Sequence, residues 1–463
     1  MRNPSLFLIP LTLIVGYAVF QYGGVTTPEW SYCLVALCIV AMVVWLAGPS
    51  ARLAPPPDRW ISLLFAVLVV WVALQLVPLP MSWLKVLSPA RAELLGAVMQ
   101  IDPGQTRAPI SVAPSVTFAH LLRLLAYILV FFLVREAGWR LKESLWRLAI
   151  PVICIAAFEA GLGLAQYFGG AAQATGTYVN HNHYAGLLEV ALPLAGMLTA
   201  VILRRQHLER TDSIPWALLA CLLIACSALI FLGLIYSFSR MGLLVAIASI
   251  AILAVLSAAG GHTGKNRALA AGGMLAIMLT FVVLAIPNGL LDRFAQTPAG
   301  EDLTSDARLQ IWKETQHLIG AYPIFGCGLG TYASAIQKYR ASSPLSLVDF
   351  AHNDYLQLLA ELGPIGFVPL FACGLLNFGR LFRRALTEVR TRRRFLAAGC
   401  ATSLFAIAMH SLVDFNLYIP ANAMLVAWVA GIGTAMEFPT DEKHRGRRHS
   451  TVRQGGESTP SSE

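Results

Sequence analysis

Three basic side chains stand in or beside polar stretches that separate apolar segments. Arg240 follows Ser239 in a very short turn, Arg308 lies in the longest polar loop, and His352 comes where that loop ends. Arginine guanidinium groups bind phosphate bidentately, and a neutral histidine can accept a hydroxyl proton at physiological pH. Together these residue types suit a substrate pair made of an acceptor hydroxyl and a lipid-linked diphosphate. The diphosphate is a good leaving group once arginines neutralise its charge.

The segment that begins at His352 predicts a helix that packs closely against another. At ~100° per residue, Gly363 and Gly366 share the face of His352, whereas Asp354 and Glu361 lie on the opposite face. Small residues let a second helix approach, which would hold the imidazole in place. The two carboxylates are therefore not expected to be its partners, and His352 is either a structural cap or a working base.

A second polar cluster stands where the sixth apolar segment begins, and it contains Asn180, His181, Asn182 and His183. The two histidines are two residues apart, so on a helix they point in different directions, which argues against a shared metal. Either asparagine could cap the helix. Substrate contact by Asn180, Asn182 and His183 is the alternative, and Asn353 beside His352 is a further possible contact.

Two other apolar segments carry charged residues that need partners. His120 and Arg123 lie about one turn apart in the fourth segment. An arginine within a span is costly and usually meets a partner or a polar cavity. Arg123 could therefore contact a lipid phosphate or another substrate group, or it could extend outward to water. Glu159 lies deep in the fifth segment, where it needs a buried partner or must be neutral.

The surroundings of Arg240 and Arg308 indicate how each could meet an anion. Ser239 is a plausible helix N-cap, which puts Arg240 in the first turn. A cation there opposes the helix dipole, so the position favours an anionic ligand over a lipid headgroup or an acidic side chain. Arg308 falls in a predicted helix from Ser305 to about Gly320, on the side of Trp312. It therefore turns toward the interior, unless it is a solvated surface residue.

Further polar residues favour structural roles. His410 and Asp414 are four residues apart and share a helix face, so they are interpreted as a pair that holds spans together. Glu301, Asp302 and Asp306 in the long loop are interpreted as a solvated acidic patch, with a metal site as the weaker alternative. The sequence has no Walker A loop for ATP. Neither a metal nor another cofactor is predicted.

Membrane helices must position these residues. The chain has 463 residues, of which 57% are hydrophobic and only 13% charged, whereas soluble proteins carry about 25% charged residues. Helices of about 20 apolar residues cross a bilayer. The composition therefore predicts an all-α polytopic membrane protein with about 12 transmembrane helices and a large outer loop that contains helices. The predicted spans are 6–22, 30–48, 60–80, 115–134, 145–168, 181–203, 215–236, 239–257, 268–286, 352–378, 395–415 and 419–436.

The distribution of Lys and Arg predicts the orientation. Alternate loops are basic, most densely at 379–394. Cytoplasmic loops carry such an excess, so both termini are expected in the cytoplasm and the long loops 81–114 and 287–351 outside. The net charge of +9 does not indicate a nucleic-acid partner, because the basic residues lie in membrane loops. The tail 437–463 is rich in Ser, Gly, Arg and Glu and is predicted to be disordered.

This topology assigns polar residues that are far apart in sequence to one outer end of the membrane. They are Asn180, His181, Asn182, His183, Arg240, Arg308, His352, Asp414 and Asn416. Their convergence predicts a site at the boundary between lipid and water.

The same residues carry a resemblance to the superfamily of O-antigen ligases and O-antigen polymerases. His352-Asn353, nine residues and then Gly363-Pro-Ile-Gly366 resemble its His-Asn-x9-Gly-x-x-Gly signature, and Arg240-Met-Gly-Leu-Leu244 resembles its Arg-x3-Leu element. The loop helix before the signature is matched by Asp306-Ala-Arg308, Trp312 and Pro323-Ile-Phe-Gly-Cys-Gly328. The motif at span six is matched by residues 176–186. The resemblance covers roughly residues 150–435. Residues 1–140 match only in hydropathy.

Hydropathy, composition and the resemblance together predict three regions. They are N-terminal transmembrane helices at 1–140, a ligase-like membrane domain at 150–435 that includes the loop 287–351, and the tail 437–463. The resemblance implies a metal-independent, inverting glycosyltransferase of the C-type membrane superfamily, at the periplasmic face of the bacterial inner membrane. The enzyme would move a glycan from undecaprenyl diphosphate to a hydroxyl of a glycan, a lipid A-core or a protein. Carried over by position, Arg240 and Arg308 would bind the diphosphate, and His352 would orient or deprotonate the acceptor. The motifs do not separate ligases, polymerases and protein O-oligosaccharyltransferases.

Two other classes of protein are alternatives. A transporter of an anion such as bicarbonate would place polar groups near the bilayer midplane, whereas most polar candidates here are assigned to one face. A non-catalytic scaffold of a polysaccharide assembly would explain the basic loop 379–394, although it would not explain Arg240 in a first helical turn.

Overall fold

The computed structural model describes residues 8–46, 53–209, 214–258, 305–341 and 347–438. Almost all regular structure in them is helical. The helices are α1 (Leu8–Phe20), α2 (Thr27–Leu46), α3 (Arg59–Leu74), α4 (Met81–Leu87), α5 (Pro89–Ile101), α6 (Pro114–Arg140), α7 (Ala149–Phe168), α8 (His181–Glu209), α9 (Ile214–Tyr236), α10 (Arg240–Ala258), α11 (Ser305–Ala321), α12 (Tyr332–Ile336), α13 (Asp354–Thr387), α14 (Thr391–His410) and α15 (Pro420–Ala435). A two-residue antiparallel pair joins β1 (Leu79–Pro80) to β2 (Arg107–Ala108).

Seven helices in the described part of the chain are long and apolar enough to cross a membrane. Together with the shorter apolar helices α1, α3 and α15, they confirm an all-α polytopic membrane protein. Each predicted span overlaps a helix, except 268–286, which lies outside the described residues. The predicted disorder of the tail concerns residues that, from 439 onward, also lie outside them.

The bundle is built around α8. In α8, 83% of the apolar 18-residue stretch is buried inside the bundle, whereas the corresponding share in α2 and α6 is 28%. Helix α8 is therefore central, and α2 and α6 face lipid. The helices α9, α10 and α14 pack against α8, whereas α3 and α14 pack against α13, and α6 packs against α15. The predicted loop helix is confirmed as α11, which packs against α13.

A buried pair fixes α8 to α14. The Nδ1 atom of His410 lies 2.9 Å from Oε1 of Glu189, and both side chains are buried. The predicted pairing of His410 with Asp414 is therefore wrong. The two residues do not pair because α14 ends at His410. Asp414 lies in the following turn and therefore does not share a helix face with His410. The deep Glu159 also has partners, because it accepts hydrogen bonds from the backbone N–H and the hydroxyl of Thr177.

Helix α13 is broken at Gly363, whose φ is +59° and which precedes Pro364. The break frees backbone carbonyls in the turn before it. They are satisfied from outside the helix: the carbonyl of Ala360 accepts from Cys327 N at 2.9 Å, that of Glu361 from Gly328 N at 3.0 Å, and that of Leu362 from Nε1 of Trp71 on α3 at 2.8 Å. The glycine-rich stretch 326–330 is thus a clamp on the break in α13.

A substitution at Gly326 tests whether the stretch 326–330 stabilises the break in α13. Its φ is +70°, and a Cβ atom there would lie 2.2 Å from the carbonyl oxygen of Glu361. Gly326→Ala combines left-handed strain with overpacking, so it is expected to lower the free energy of unfolding by about 2–4 kcal/mol. The measurement is the thermal unfolding midpoint of the detergent-solubilised protein. Gly320→Ala on α11 is the matched control, because a Cβ there meets nothing within 4 Å. Equal midpoints for the two variants would contradict the clamp.

Candidate active site

His352 does not belong to the helix that follows it. Helix α13 begins at Asp354, and Asn353 is its N-cap, with Oδ1 accepting from the backbone N–H groups of Tyr355 and Leu356. The Nδ2 atom of Asn353 donates to the carbonyl of Leu412. The polar atoms of Asn353 are therefore used by the fold, which gives it a capping role in place of the expected substrate contact. His352 is not the cap.

The glycines predicted to lie beneath His352 contact other parts of the fold. A Cβ at Gly363 would lie 2.1 Å from the carbonyl oxygen of Ile324, and one at Gly366 would lie 2.4 Å from Cδ1 of Trp71. Gly366 thus does allow the close approach of α3, as small residues predict. The glycine face does not hold the imidazole, however, because His352 precedes the helix.

The backbone of His352 is held in a strained conformation by bonds on both sides. Its φ is +49°, in the left-handed region that a side chain disfavours. Before it, the carbonyl of Ala351 accepts from Nε1 of Trp312 on α11 at 3.0 Å, and the N–H of Ala351 donates to Gln357 at 2.9 Å. After it, the N–H of Asp354 donates to the carbonyl of Ser411 at 2.9 Å. Such strain persists where the surroundings enforce it, and it is concentrated at functional sites.

Asp414 lies between two histidines. Its Oδ1 atom is 3.7 Å from Nδ1 of His352 and 3.6 Å from Nε2 of His183. Both imidazoles pack edge-to-face on the ring of Phe415, with centroid distances of 4.9 Å for His352 and 4.5 Å for His183. Phe350 stacks on the ring of Phe415 at a centroid distance of 3.9 Å. Charge and packing together fix both imidazoles around one carboxylate.

Burial acts to raise the pKa of Asp414, but the histidines that face it, His183 first, hold that pKa well below its ordinary value. The carboxylate is therefore ionised at neutral pH. Its side chain is 2% exposed, whereas that of His352 is 21% exposed. A buried anion therefore lies behind an accessible imidazole. The anion can stabilise a positive charge on His352 while a substrate reaches the ring.

Arg240 lies at the same end of the bundle. The hydroxyl of Ser239 accepts from the backbone N–H of Gly242 at 3.1 Å, which confirms Ser239 as the N-cap and Arg240 as the first residue of α10. Gly242 packs against Ala185 in the first turns of α8, where a Cβ would lie 3.1 Å from that of Ala185. Arg240 is thus close in the fold to the segment that carries His183. Among the described residues, no acidic side chain pairs with it.

Arg308 approaches from α11. It lies one turn before Trp312, about 6 Å along the helix axis, and Trp312 bonds the residue next to His352. The Nε atom of Arg308 is buried and has no hydrogen-bond partner in the part of the chain that the structure describes. This burial argues against a fully solvated surface arginine. Arg308 and Arg240 thus offer two guanidinium groups with no acidic partner among the described residues, at the end of the bundle that carries His352.

The remaining expected contacts have different surroundings. The Oδ1 atom of Asn180 accepts from the N–H of Asn182 at 2.8 Å, a capping interaction at the start of α8, and both side chains stay partly exposed. Arg123 stacks over the ring of Trp30 at 5.0 Å and lines an apolar groove. The two carboxylates of α13 are occupied: Asp354 accepts from Ser411 and Leu417, and Glu361 from Gly330, Tyr332 and Tyr418.

One positioning residue was not predicted from the sequence. The Nδ2 atom of Asn422 on α15 donates to the carbonyl of His183 and to Oδ1 of Asn416, and its Oδ1 accepts from the hydroxyl of Tyr178. Asn422 thereby ties the first turn of α8 to α15. The available signal in the sequence was an asparagine inside an apolar segment, because a polar group there needs partners. The structure shows that Asn422 is fully buried.

These features define the class: a multi-pass, all-α membrane protein. Within the described ranges, a His–Asp–His cluster and two arginines without acidic partners lie at one end of its bundle. Residues 225–371 match the family model described as O-antigen ligase, and this match supports a family of the O-antigen ligase and polymerase type. The matched segment includes Arg240, Arg308 and His352. It supports an O-antigen ligase-type function in general, with a lipid-linked glycan and an acceptor as partners. No curated protein matches the chain.

Proposed function

We propose that this protein is a metal-independent, inverting glycosyltransferase. Its donor is a glycan on undecaprenyl diphosphate, and its acceptor is a hydroxyl at the periplasmic face of the inner membrane. The single observation that carries the proposal is the accessible imidazole of His352, with the buried Asp414 carboxylate behind it and, at the same end of the bundle, two arginines that pair with no described carboxylate. These are the base and the anion-binding groups that such a transfer needs.

In the proposed reaction, Nε2 of His352 accepts the proton of the acceptor hydroxyl as its oxygen attacks the anomeric carbon. The bond from that carbon to the diphosphate oxygen breaks, and the diphosphate leaves with the bonding electron pair. Arg240 and Arg308 stabilise the negative charge that develops on the leaving diphosphate. Asp414 faces Nδ1 of His352 and stabilises the imidazolium. The 3.7 Å separation is longer than a hydrogen bond, and we expect it to shorten when substrate binds.

The opposite end of the bundle supports the proposed orientation. Arg380 pairs with Asp58 at 3.1 Å and with Glu437 at 3.2 Å, and Arg384 and Arg393 donate to the carbonyl of Met436. This arginine-rich end lies on the C-terminal side of α13, away from His352. Because basic residues concentrate on the cytoplasmic side, the proposal puts His352 in the periplasm and both termini in the cytoplasm.

Deep polar groups do not favour the transporter alternative. Glu159 is bonded by Thr177, and Glu189 by His410, so each has a structural partner in place of a solute. Substrate flux through sealed vesicles that contain the pure protein would nevertheless contradict the proposed function.

A transfer assay tests the proposed function. The purified full-length protein is mixed with an undecaprenyl-diphosphate-linked glycan and candidate acceptors that carry a glycan, a lipid A-core or a protein hydroxyl. We expect one acceptor class to gain the glycan with inverted anomeric configuration, at a rate that chelators do not change. Release of diphosphate without any acceptor product, or no reaction with every acceptor, would contradict the proposal.

Asp414→Asn tests the role of the buried carboxylate. The variant keeps the shape of the side chain but removes the charge that faces His352, so the imidazole loses its orientation and the support of its protonated form. We expect the turnover number to fall about 100-fold, the size of effect that misplacing a catalytic group produces, with little change in KM for the donor. Asp349→Asn, in the loop before His352, is the matched control. An unchanged turnover number for Asp414→Asn would remove Asp414 from the mechanism.

A further inference from the structure

Asp354, two residues after His352, carries a buried carboxylate that the proposed reaction does not use. It is the first residue of α13, and it is 0% exposed, so its side chain cannot touch a donor or an acceptor. Burying a carboxylate costs free energy unless hydrogen bonds or charges compensate for the lost water. The partners of Asp354 therefore indicate what the fold gains from it.

Hydrogen bonds from the side chain and the backbone of Asp354 hold the segment 411–417, which follows α14. The Oδ2 atom accepts from the hydroxyl of Ser411 at 2.6 Å and from the backbone N–H of Leu417 at 3.1 Å. The backbone N–H of Asp354 donates to the carbonyl of Ser411 at 2.9 Å and to that of Asp414 at 3.2 Å. Asp354 thus contacts the beginning, the middle and the end of this segment.

The middle of the segment 411–417 carries the two groups that face His352. The carboxylate of Asp414 lies opposite Nδ1 of His352, and the ring of Phe415 packs edge-to-face with the same imidazole. Only two residues of chain separate His352 from Asp354, and the backbone N–H of Asp354 bonds the carbonyl of Asp414 itself. Asp354 therefore links the position of the buried carboxylate to that of the imidazole.

We propose that Asp354 is a positioning residue, which holds the carboxylate of Asp414 and the ring of Phe415 in place behind the imidazole of His352. The inference rests on the proposed function, because it assigns Asp354 a part in the same site. Asp354 acts by accepting hydrogen bonds: both donors converge on Oδ2, whereas Oδ1 has no hydrogen-bond partner among the described residues. An amide oxygen in the place of Oδ2 can accept the same two bonds.

Substitutions of Asp354 in the full-length protein test this role. Asp354→Ala removes both accepted hydrogen bonds, so the turnover number for glycan transfer is expected to fall about tenfold to 100-fold, as misplacing a catalytic group does. The KM for the donor should change little, because Asp354 is not placed against the diphosphate. Asp354→Asn is expected to recover turnover to within about threefold of wild type, because its amide oxygen can accept from Ser411 and Leu417.

Glu136→Ala is the matched control for the loss of a buried carboxylate. Glu136 lies near the C-terminal end of α6, where it accepts from the backbone N–H of Ala54 at 2.8 Å and from Nε of Arg140 at 2.9 Å. Like Asp354, it joins two segments through one backbone donor and one side-chain donor. Glu136→Ala is expected to lower the thermal unfolding midpoint, as Asp354→Ala does, but to leave the turnover number of the folded protein unchanged.

A double variant separates positioning of Asp414 from a general structural role. If Asp354 acts through the Asp414 carboxylate, Asp354→Ala should lower turnover little further in a protein that already carries Asp414→Asn, so the two effects are not additive. Full multiplication of the two single effects would overturn the inference. It would also be overturned if Asp354→Asn were as impaired as Asp354→Ala, or if Asp354→Ala kept the wild-type turnover number.

Chemical modification of His352 gives a readout that needs no substrate. Its side chain is 21% exposed, so diethyl pyrocarbonate can reach the imidazole, and mass spectrometry of its peptide gives the modification rate. We expect Asp354→Ala and Asp414→Asn to change this rate by the same factor and Asp354→Asn to keep it, with the exposed His317 as internal standard. An unchanged rate in Asp354→Ala would overturn the inference. The expected rates without glycan transfer by the wild type would contradict the proposed function alone.

Discussion

Replacing His352 by alanine is expected to lower the turnover number for glycan transfer about 100- to 10,000-fold, the usual contribution of a general base. The imidazole is accessible, the buried Asp414 carboxylate faces its Nδ1 atom, and its backbone is locked on both sides. Removing the side chain leaves the acceptor hydroxyl without a proton acceptor. The measurement is the single-turnover rate with a purified lipid-linked donor at saturating acceptor.

The matched control for this variant is His317→Ala, because His317 is exposed on α11. A thermal unfolding midpoint close to that of the wild type must accompany the loss of activity. His352→Gln separates two roles, since glutamine can hold an acceptor by hydrogen bonding but cannot take its proton at neutral pH. Recovery of activity in His352→Gln would assign a holding role, whereas loss with a flattened acidic limb of the pH–rate profile would assign a base. Transfer by His352→Ala within threefold of wild type would remove His352 from the mechanism.

Replacing Arg308 by alanine is expected to lower the turnover number about 100- to 1,000-fold, the usual cost of removing one donor that stabilises transition-state charge. Its Nε atom is buried and has no hydrogen-bond partner among the described residues, and an anionic ligand would supply one. Arg240→Ala is expected to act in the same direction, because both guanidinium groups meet the departing diphosphate. The double variant should lose less than the product of the two single effects, since the residues act on one leaving group.

Lysine variants sharpen this test. Lys keeps the charge but not the bidentate geometry, so Arg308→Lys should recover part of the activity that Arg308→Ala loses. Arg107→Ala is the control, because Arg107 is exposed at β2. The effect of Arg308→Ala should appear with the diphosphate-linked donor whichever acceptor is used. If instead the loss depended on the acceptor and the donor affinity were unchanged, the arginine would bind the acceptor, and the proposed roles would be wrong.

Much of the fold was predictable because the main physical term is local. A bilayer requires about 20 apolar residues per helix, and such runs can be counted in the sequence without knowing what they pack against. The N-cap at Ser239 and the loop helix α11 were predictable for the same reason, since capping and helical periodicity involve neighbours within one or two turns. The glycine signature was visible too, although its role as a clamp on α13 was not.

The sequence by itself determined which residues could do chemistry and that membrane helices should bring them to one end of the protein. Only the tertiary structure decided their partners. Asp414 turned from the expected contact with His410 to the imidazoles of His183 and His352, and His410 paired with Glu189, 221 positions away. Such pairs depend on which helices pack together and on where each helix ends. A shift of one turn at the end of α14 changes the direction of a carboxylate, and hydropathy and spacing do not carry that information.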